Sequence, residues 1–378
     1  MSKHFFITGG TGLVGKNLIP RLLKRFPNST ITLLVRGEDE GEANERTQNI
    51  ACQIADDFNI PDAPQRIDGM LGDVGLDHCG LSPAQQERIV KQATHLIHGA
   101  ATIRFDHPID EARAINCGGT RRMLALAHMC AGKGKLERFV YIGSSSVSGQ
   151  RGGHIYEDEL EKGQKFFNTY EQSKNESERI VRNNFDKIPC TVFRPSIIIG
   201  DSRTGKTSSF NVIYIPLRLV QKGMLTYVPG TPDTLMDLVP IDWVDDAMVH
   251  ILTKEESIGK VFHVTAGPQR AARLDEVVVA AVKYFDKNTP LKHPRTMEFI
   301  SKKEYEKRRS KMRGREDALM SQLDTLLPYV TVNRLFDSTN ADKLLEGSGI
   351  EFPLFKDYSD KIFEYCVKTN WGKAEARD

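Results

Sequence analysis

Tyr170 and Lys174 stand one helical turn apart in "NTYEQSK", so on a helix both project from the same face. A phenol with an ordinary pKa of about 10 is a poor acid–base catalyst near neutrality. An ammonium beside it favours the phenolate and lowers that value. The spacing alone says little, because a Tyr and a Lys four residues apart are expected about once in a chain of this length. Position says more. The pair opens a helix that follows an apolar run ending in serines, "RFVYIGSSSVSG".

Two other stretches have the glycines of a phosphate cradle. In "TGGTGLVG", Gly10, Gly12 and Gly15 fit G-x-G-x-x-G, and Gly9, Gly12 and Gly15 fit the wider G-x-x-G-x-x-G. Glycine there lets the backbone turn tightly and lets a pyrophosphate approach amides at a helix N-terminus. Thr8, Gly9, Gly10, Thr11, Gly12, Leu13, Val14 and Gly15 are therefore the expected dinucleotide loop. In "GDSRTGKTSSF", Gly200, Gly205, Lys206 and Thr207 match the P-loop of nucleotide hydrolases, between the apolar "SIIIG" and a helix-like "FNVIYIPLRLVQKG". The surrounding elements have to decide between them.

Those elements alternate. "HFFITGG", "TITLLVRG", "RIDGMLGDV", "THLIHGAA", "RFVYIGSSS" and "CTVFRPSIIIG" read as buried strands, and helix-spaced apolar patterns separate them. Ser82 and Pro83 look like the N-cap and first position of one such helix. Near-continuous apolar strands alternating with helices mean an α/β fold, a doubly wound parallel sheet of the Rossmann type covered on both faces. After residue 200 the alternation loosens, although "DLVPIDWVDDAMVHIL" and "GKVFHVTAG" still read as strand, helix and strand. The expected division is a dinucleotide-binding domain over 1–200, with 236–265 returning to it. Residues 201–235 and 266–378 would form a smaller, partly helical substrate lobe.

In such a sheet the ligand lies at the carboxyl ends of the strands. The second strand ends in Arg36, whose guanidinium can pair with a 2′-phosphate and favours NADPH. Glu38 and Asp39 just beyond leave NADH as the alternative. "LGDV" ends the third strand with Asp73 and Val74, and Asp73 can accept from the adenine amino group. Gly99, Ala100 and Ala101 end the fourth, small enough for the cofactor to pass close. His98 reads as a packing or backbone-bonding residue.

These motifs together resemble the extended short-chain dehydrogenase/reductase superfamily, from "TGGTGLVG" through "GDV", "HGAA", "INCGGT", "YIGSSS", "YEQSK" and "FRPS" to "VPIDWVDDA". "LLVRG", "HGAATIRFD", "NTYEQSKNESE", "FRPSIIIGDSRTG" and "LLPYVTVNRLFDSTN" resemble the branch acting on acyl thioesters: fatty acyl-CoA reductases and the terminal reductase domains of carboxylic acid reductases and of peptide or polyketide synthases. The resemblance implies that Tyr170 is the proton donor and that Lys174 binds the nicotinamide ribose while lowering the tyrosine pKa. Ser144, counted back from Gly149, would hydrogen-bond the substrate carbonyl, with Ser145 the next candidate. Asn116 of "INCGGT" joins the cofactor site. Pro195 and Ser196, with Ile197 beside them, would orient the carboxamide, and Arg194 is structural. The implied activity is NADPH-dependent reduction of an acyl-CoA or acyl-carrier protein thioester to aldehyde or onward to alcohol. The alternative is a carbonyl reductase, dehydrogenase or epimerase acting on a sugar nucleotide, steroid or other small carbonyl compound. The resemblance also places "GDSRTGKT" in a loop over the substrate pocket, against the P-loop reading.

Composition narrows the field further. The chain has 378 residues and a formal net charge of +2, which gives no global attraction to nucleic acid or to a membrane surface. No apolar run approaches the roughly 20 residues needed to span a bilayer, and "MSKHFFITGG" enters a strand with no signal-peptide pattern. The six cysteines are scattered without a C-x-x-C pair, which fits reduced thiols and a cytoplasmic protein. The basic "SKKEYEKRRSKMRGR" reads as a solvated helix face, or as a surface for an acidic carrier or CoA phosphates.

Overall fold

The computed structural model describes residues 2–374 apart from 211 and 325, and leaves the side chains of 315, 316, 318, 319 and 322 undescribed. Seven parallel strands form the central sheet: β1 His4–Thr8, β2 Thr30–Val35, β3 Ile67–Leu71, β4 His95–His98, β5 Arg138–Ile142, β6 Cys190–Pro195 and β7 Lys260–Val264. Their order is β7-β6-β5-β4-β1-β2-β3. The chain therefore winds away from β1 in both directions, and a crevice opens where the order reverses, at the ends of β1 and β4.

Alternation along each strand supplies the two helix-covered faces. Phe5 and Ile7 of β1 pack with α1 Leu13–Arg25, α2 Glu40–Phe58 and the helix Ile241–Leu252. Phe6, Leu96 and Phe139 pack on the other side with α3 Pro83–Gln92, α4 Ile109–Gly132 and α5 Thr169–Arg182. Helix α3 begins where its sequence signals it. The Ser82 side chain accepts from Gln85 N–H, the Gln85 side chain accepts from Ser82 N–H, and Pro83 holds the first position.

The expected continuous strand over 190–200 breaks in two. Cys190–Pro195 stays in the main sheet, whereas Ile197–Ile199 pairs with Leu238–Pro240. Pro195 has no N–H to continue the ladder, so the chain leaves the sheet there and turns toward the crevice. Of the helix expected from Phe210 onward, Asn211 lies outside the described residues, and the helix runs from Tyr214 to Gln221.

A third apolar cluster lies above the crevice, built from Tyr214–Gln221, Leu274–Asn288, Phe355–Lys368 and the segment around Tyr305 and Met320. The segment Arg334–Phe336 leaves it and pairs in parallel with Gly153–Ile155, just beyond the serine turn. The basic stretch forms the helix Lys302–Arg309, where Arg308 pairs with Glu298 and Glu304, and Arg309 with Asp317 and Asp324. Five of the six cysteines are buried and all six are unpaired. Among the described residues no helix is long and apolar enough to cross a membrane.

Candidate active site

The glycine loop lies between the end of β1 and the start of α1. Gly9 has φ +77, and a Cβ on it would come within 2.6 Å of the Gly99 carbonyl carbon. A Cβ on Gly15 would stand 2.3 Å from the Gly9 oxygen. Only glycine lets β1, β4 and α1 approach this closely. Gly12 caps α1 without a side chain, so none competes for the first amides of that helix. Those amides and the helix dipole suit a pyrophosphate, and the cradle fits a dinucleotide.

Around the cradle stand the other expected contacts. Arg36 follows β2 on the exposed surface, and its carbonyl accepts from Arg46 of α2. Asp39 caps α2 by accepting from Glu42 N–H at 2.9 Å, so its carboxylate is committed to the helix. Asp73 accepts from Gly75 N–H at 2.7 Å, beside buried Val74. His98 is buried between the Thr8 and Thr120 hydroxyls at 2.8 and 3.2 Å. Burial draws its imidazole down to about 3, with Lys174 adding to the fall, so it is neutral.

Beyond the cradle a cleft of about 590 Å³ is lined by Val14, Gly99, Ala101, Ser144, Tyr170, Lys174 and the run Pro195–Ile198. Ser144 caps the short turn Ser145–Ser148, and its Oγ lies 2.8 Å from Ser146 Oγ. Asn168 caps α5 by accepting from Glu171 N–H, which sets Tyr170 at the mouth of that helix. Burial raises the Tyr170 pKa and a hydrogen bond with Ser144 opposes the rise. Ser144, rather than Ser145, is thus the serine that meets the phenol.

Lys174 departs from one expectation. Its Nζ donates to the Ile142 carbonyl at 2.7 Å and lies 4.4 Å from the centre of the Tyr141 ring. The groups that act on Tyr170 are burial, Ser144 and Glu171, so the expected lowering of the phenol by Lys174 is not what this arrangement produces. The physical reason is direction: the ammonium turns toward the end of β5. Burial draws Lys174 itself down to about 7, against the pull of Glu178 one turn further along α5. Arg194 is fully buried, paired with Glu178 at 2.7 Å and bonded to the Glu159 carbonyl.

Asn116 accepts from Thr102 N–H at 2.8 Å and donates to Ser173 Oγ at 2.9 Å. It ties the loop after β4 to α5, and Phe105 of that loop packs on Tyr170 with ring centres 5.7 Å apart. Ser196 donates to Asp237, which also accepts from Ala266 N–H and Gly267 N–H.

The sequence reading missed a group contributed from far along the chain. Tyr329 lines the cleft and donates to Glu171, a buried carboxylate that also accepts from Phe167 N–H at 3.0 Å. Arg334 lies over the Phe167 and Tyr329 rings and donates to the Gly149 carbonyl at 3.0 Å. Together they brace both the serine turn and the start of α5. The only signal in the sequence was the late "LLPYVTVNRLFDSTN", whose partners spacing could not identify.

A doubly wound sheet with a glycine cradle at its switch point is the architecture of dinucleotide-binding domains, and here a Ser–Tyr–Lys cleft lies beside it. The chain belongs to the family described as male sterility protein, whose NAD-binding model matches residues 7–248, and is a thioester-reductase-like member of the extended short-chain dehydrogenase/reductase superfamily. Fatty acyl-CoA reductase wat of Drosophila melanogaster is 29% identical over 287 residues, covering 65% of this chain and 53% of that protein. Nonribosomal peptide synthetase asaC of Aspergillus flavus is 25% identical over 268 residues, covering 68% of this chain and 26% of that protein. The chain thus spans less than two thirds of either relative. The solved terminal R domain of the myxalamid PKS-NRPS pathway superposes with a TM-score of 0.81 at 26% identity, covering 98% of this chain and 92% of that one.

Proposed function

We propose that this protein reduces acyl thioesters with NADPH, releasing an aldehyde and a free thiol. The observation that carries the reading is the composition of the cleft: Ser144 and Tyr170 face a wall of Ile103, Phe105, Val212, Ile215 and Leu326. Leu326 also borders an apolar cavity of about 80 Å³ among Leu217, Val277, Ala281 and Met320, a place for a hydrocarbon acyl group rather than a sugar. The relatives named above, one a fatty acyl-CoA reductase, support the same reading.

Gly9, Gly10, Gly12 and Gly15 would hold the pyrophosphate, with Thr8, Thr11, Leu13 and Val14 completing the loop. Asp73 and Val74 would face the adenine, and Asn116 would hold the loop after β4 beside the nicotinamide. Gly99 to Ala101 and Pro195 to Ile197 would flank that ring, and Lys174 would bind its ribose. Arg36, with Arg46 behind it and no free carboxylate from Asp39, supports the 2′-phosphate of NADPH over NADH. When bound, the nicotinamide supplies hydride to the carbonyl carbon. Ser144 and Tyr170 donate hydrogen bonds to the carbonyl oxygen as it takes on negative charge. Tyr170 then gives that oxygen its proton, which burial has kept on the phenol. The resulting hemithioacetal returns its hydroxyl proton to the Tyr170 phenolate as the C–S electron pair departs on sulfur, and the thiolate takes a proton from solvent, leaving aldehyde and thiol. A second round at the same residues, with a second NADPH, would carry the aldehyde on to the alcohol.

The test is NADPH oxidation across acyl-CoAs of graded chain length, with products identified. Thioester-dependent oxidation with aldehyde or alcohol formed supports the reading. Oxidation only with sugar nucleotides or simple ketones rejects it.

A further inference from the structure

The P-loop-like stretch does not cradle a phosphate with its backbone. Asp201 Oδ1 accepts from Arg203 N–H and Thr204 N–H at 2.9 Å each, and its carbonyl accepts from Gly205 N–H at 2.7 Å. Lys206 N–H goes to Thr204 Oγ1. The amides that a P-loop would turn toward phosphate are thus engaged within the turn. At Gly205, with φ +73, a Cβ would meet the Lys361 carbonyl oxygen at 2.1 Å, so the turn is seated against the last helix.

What the turn presents instead is side chains. Arg203 and Lys206 form one wall of a cleft of about 650 Å³, and Lys16, Arg21 and Lys24 of α1 form the opposite wall. Five cationic side chains line it against three carboxylates, Asp57, Asp201 and Asp246. Lys206 pairs with Asp57 at 3.2 Å and Arg203 with Asp201 at 3.1 Å, with both cations well exposed. The Lys206–Asp57 pair, exposed on both sides, holds weakly and gives way readily to a doubly charged phosphate, whereas Arg203 is anchored by the largely buried Asp201 and Asp242 and offers its remaining donors. Phe58 and Tyr365 add aromatic faces. The cleft also adjoins the catalytic one. Ser208 lines the first and Ser209 the second, and Lys16 stands two residues beyond Val14. Lys16 and Lys24 are about 12 Å apart along α1, room for a run of phosphates.

We infer that this cleft binds the 3′-phosphoadenosine diphosphate end of coenzyme A, so that the thioester donor is a free acyl-CoA. The inference rests on the thioester reading of the catalytic cleft. The acyl group and thioester lie beside Tyr170, the pantetheine arm crosses α1 between Val14 and Ser209, and the phosphates meet Lys16, Lys24, Arg203 and Lys206. Adenine stacks against Phe58 or Tyr365.

The test compares kcat/KM for dodecanoyl-CoA, dodecanoyl-3′-dephospho-CoA, S-dodecanoyl-pantetheine and dodecanoyl-carrier protein, in wild type and in the double variant Lys24→Ala/Lys206→Ala. Wild type should prefer the CoA thioester over the pantetheine thioester by on the order of tenfold or more, and the double variant should lose most of that ratio. A ratio near one in wild type, a ratio the variant leaves intact, or a carrier protein preferred over CoA overturns the proposal. Binding of free CoA, titrated with NADP+ saturating so that its adenylate cannot enter the dinucleotide cradle, separates this from the catalytic reading. If no thioester is reduced but CoA binds wild type tightly and the variant about tenfold or more weakly, the cleft assignment stands while the activity falls. If CoA binds both alike, or neither, the assignment falls.

Discussion

Replacing Tyr170 with Phe removes one oxygen from the cleft and leaves its surroundings in place. The ring keeps its contact with Phe105, Asn168 still caps α5, and Lys174 still reaches the Ile142 carbonyl. Folding and dinucleotide affinity should therefore be retained. What goes is the proton donor and one of two hydrogen bonds to the developing oxyanion, so kcat should fall by about 10²–10⁴. At about 1.36 kcal/mol per decade this is roughly 3–5.5 kcal/mol of barrier. Ser144→Ala should cost about 10²–10³ through the loss of one oxyanion donor. Because Ser144 hydrogen-bonds the phenol itself, the two losses share an interaction, and the double variant should fall by less than their product. The assay is single-turnover NADPH oxidation with an acyl-CoA across pH. Since burial holds the phenol protonated, no alkaline loss near neutrality should trace to Tyr170. A Tyr170→Phe enzyme with the wild-type rate at every pH would refute the acid assignment, and the mechanism would have to be rebuilt on another donor.

Arg36→Ala should weaken NADPH binding by about 1–3 kcal/mol and NADH far less, measured by fluorescence titration of both; equal losses would show that Arg36 does not read the 2′-phosphate. Lys174 is charged below about 7 and neutral above, so dinucleotide affinity that needs its ammonium should be full on the acid side and fall by up to about tenfold per pH unit above it. A flat affinity profile well into alkali would remove the ammonium from cofactor binding. Gly15→Ala forces a Cβ onto the Gly9 carbonyl, and should abolish NADPH binding and lower stability by about 1–3 kcal/mol in urea unfolding. Gly132→Ala, which meets nothing within 4 Å on α4, is the control and should be neutral or slightly stabilising.

Short-range physics made much of this protein readable from its residues. The apolar strands, the glycine loop between β1 and α1, the Ser82–Pro83 helix start and the Tyr170–Lys174 face all rest on contacts within a few residues. The seven-stranded parallel sheet follows from their alternation. The break at Pro195 was the local exception, legible in hindsight from the missing N–H.

Sequence by itself thus determined the sheet, the glycine loop between β1 and α1 and the residue types that line the cleft. Tertiary structure alone decided how those residues are used. Glu171 meets Tyr329 across 158 residues and Arg334 meets Gly149 across 185, distances over which no spacing rule operates. The same holds for Lys174, whose direction toward the Ile142 carbonyl depends on where β5 ends relative to α5. It holds too for "GDSRTGKT", which carries the letters of a phosphate loop. Asp201 and Thr204 engage its amides, so what it presents to the cleft is side chains, the cations Arg203 and Lys206 among them. A motif specifies which groups are present; the hydrogen bonds the folded chain makes with them determine which remain available to a ligand.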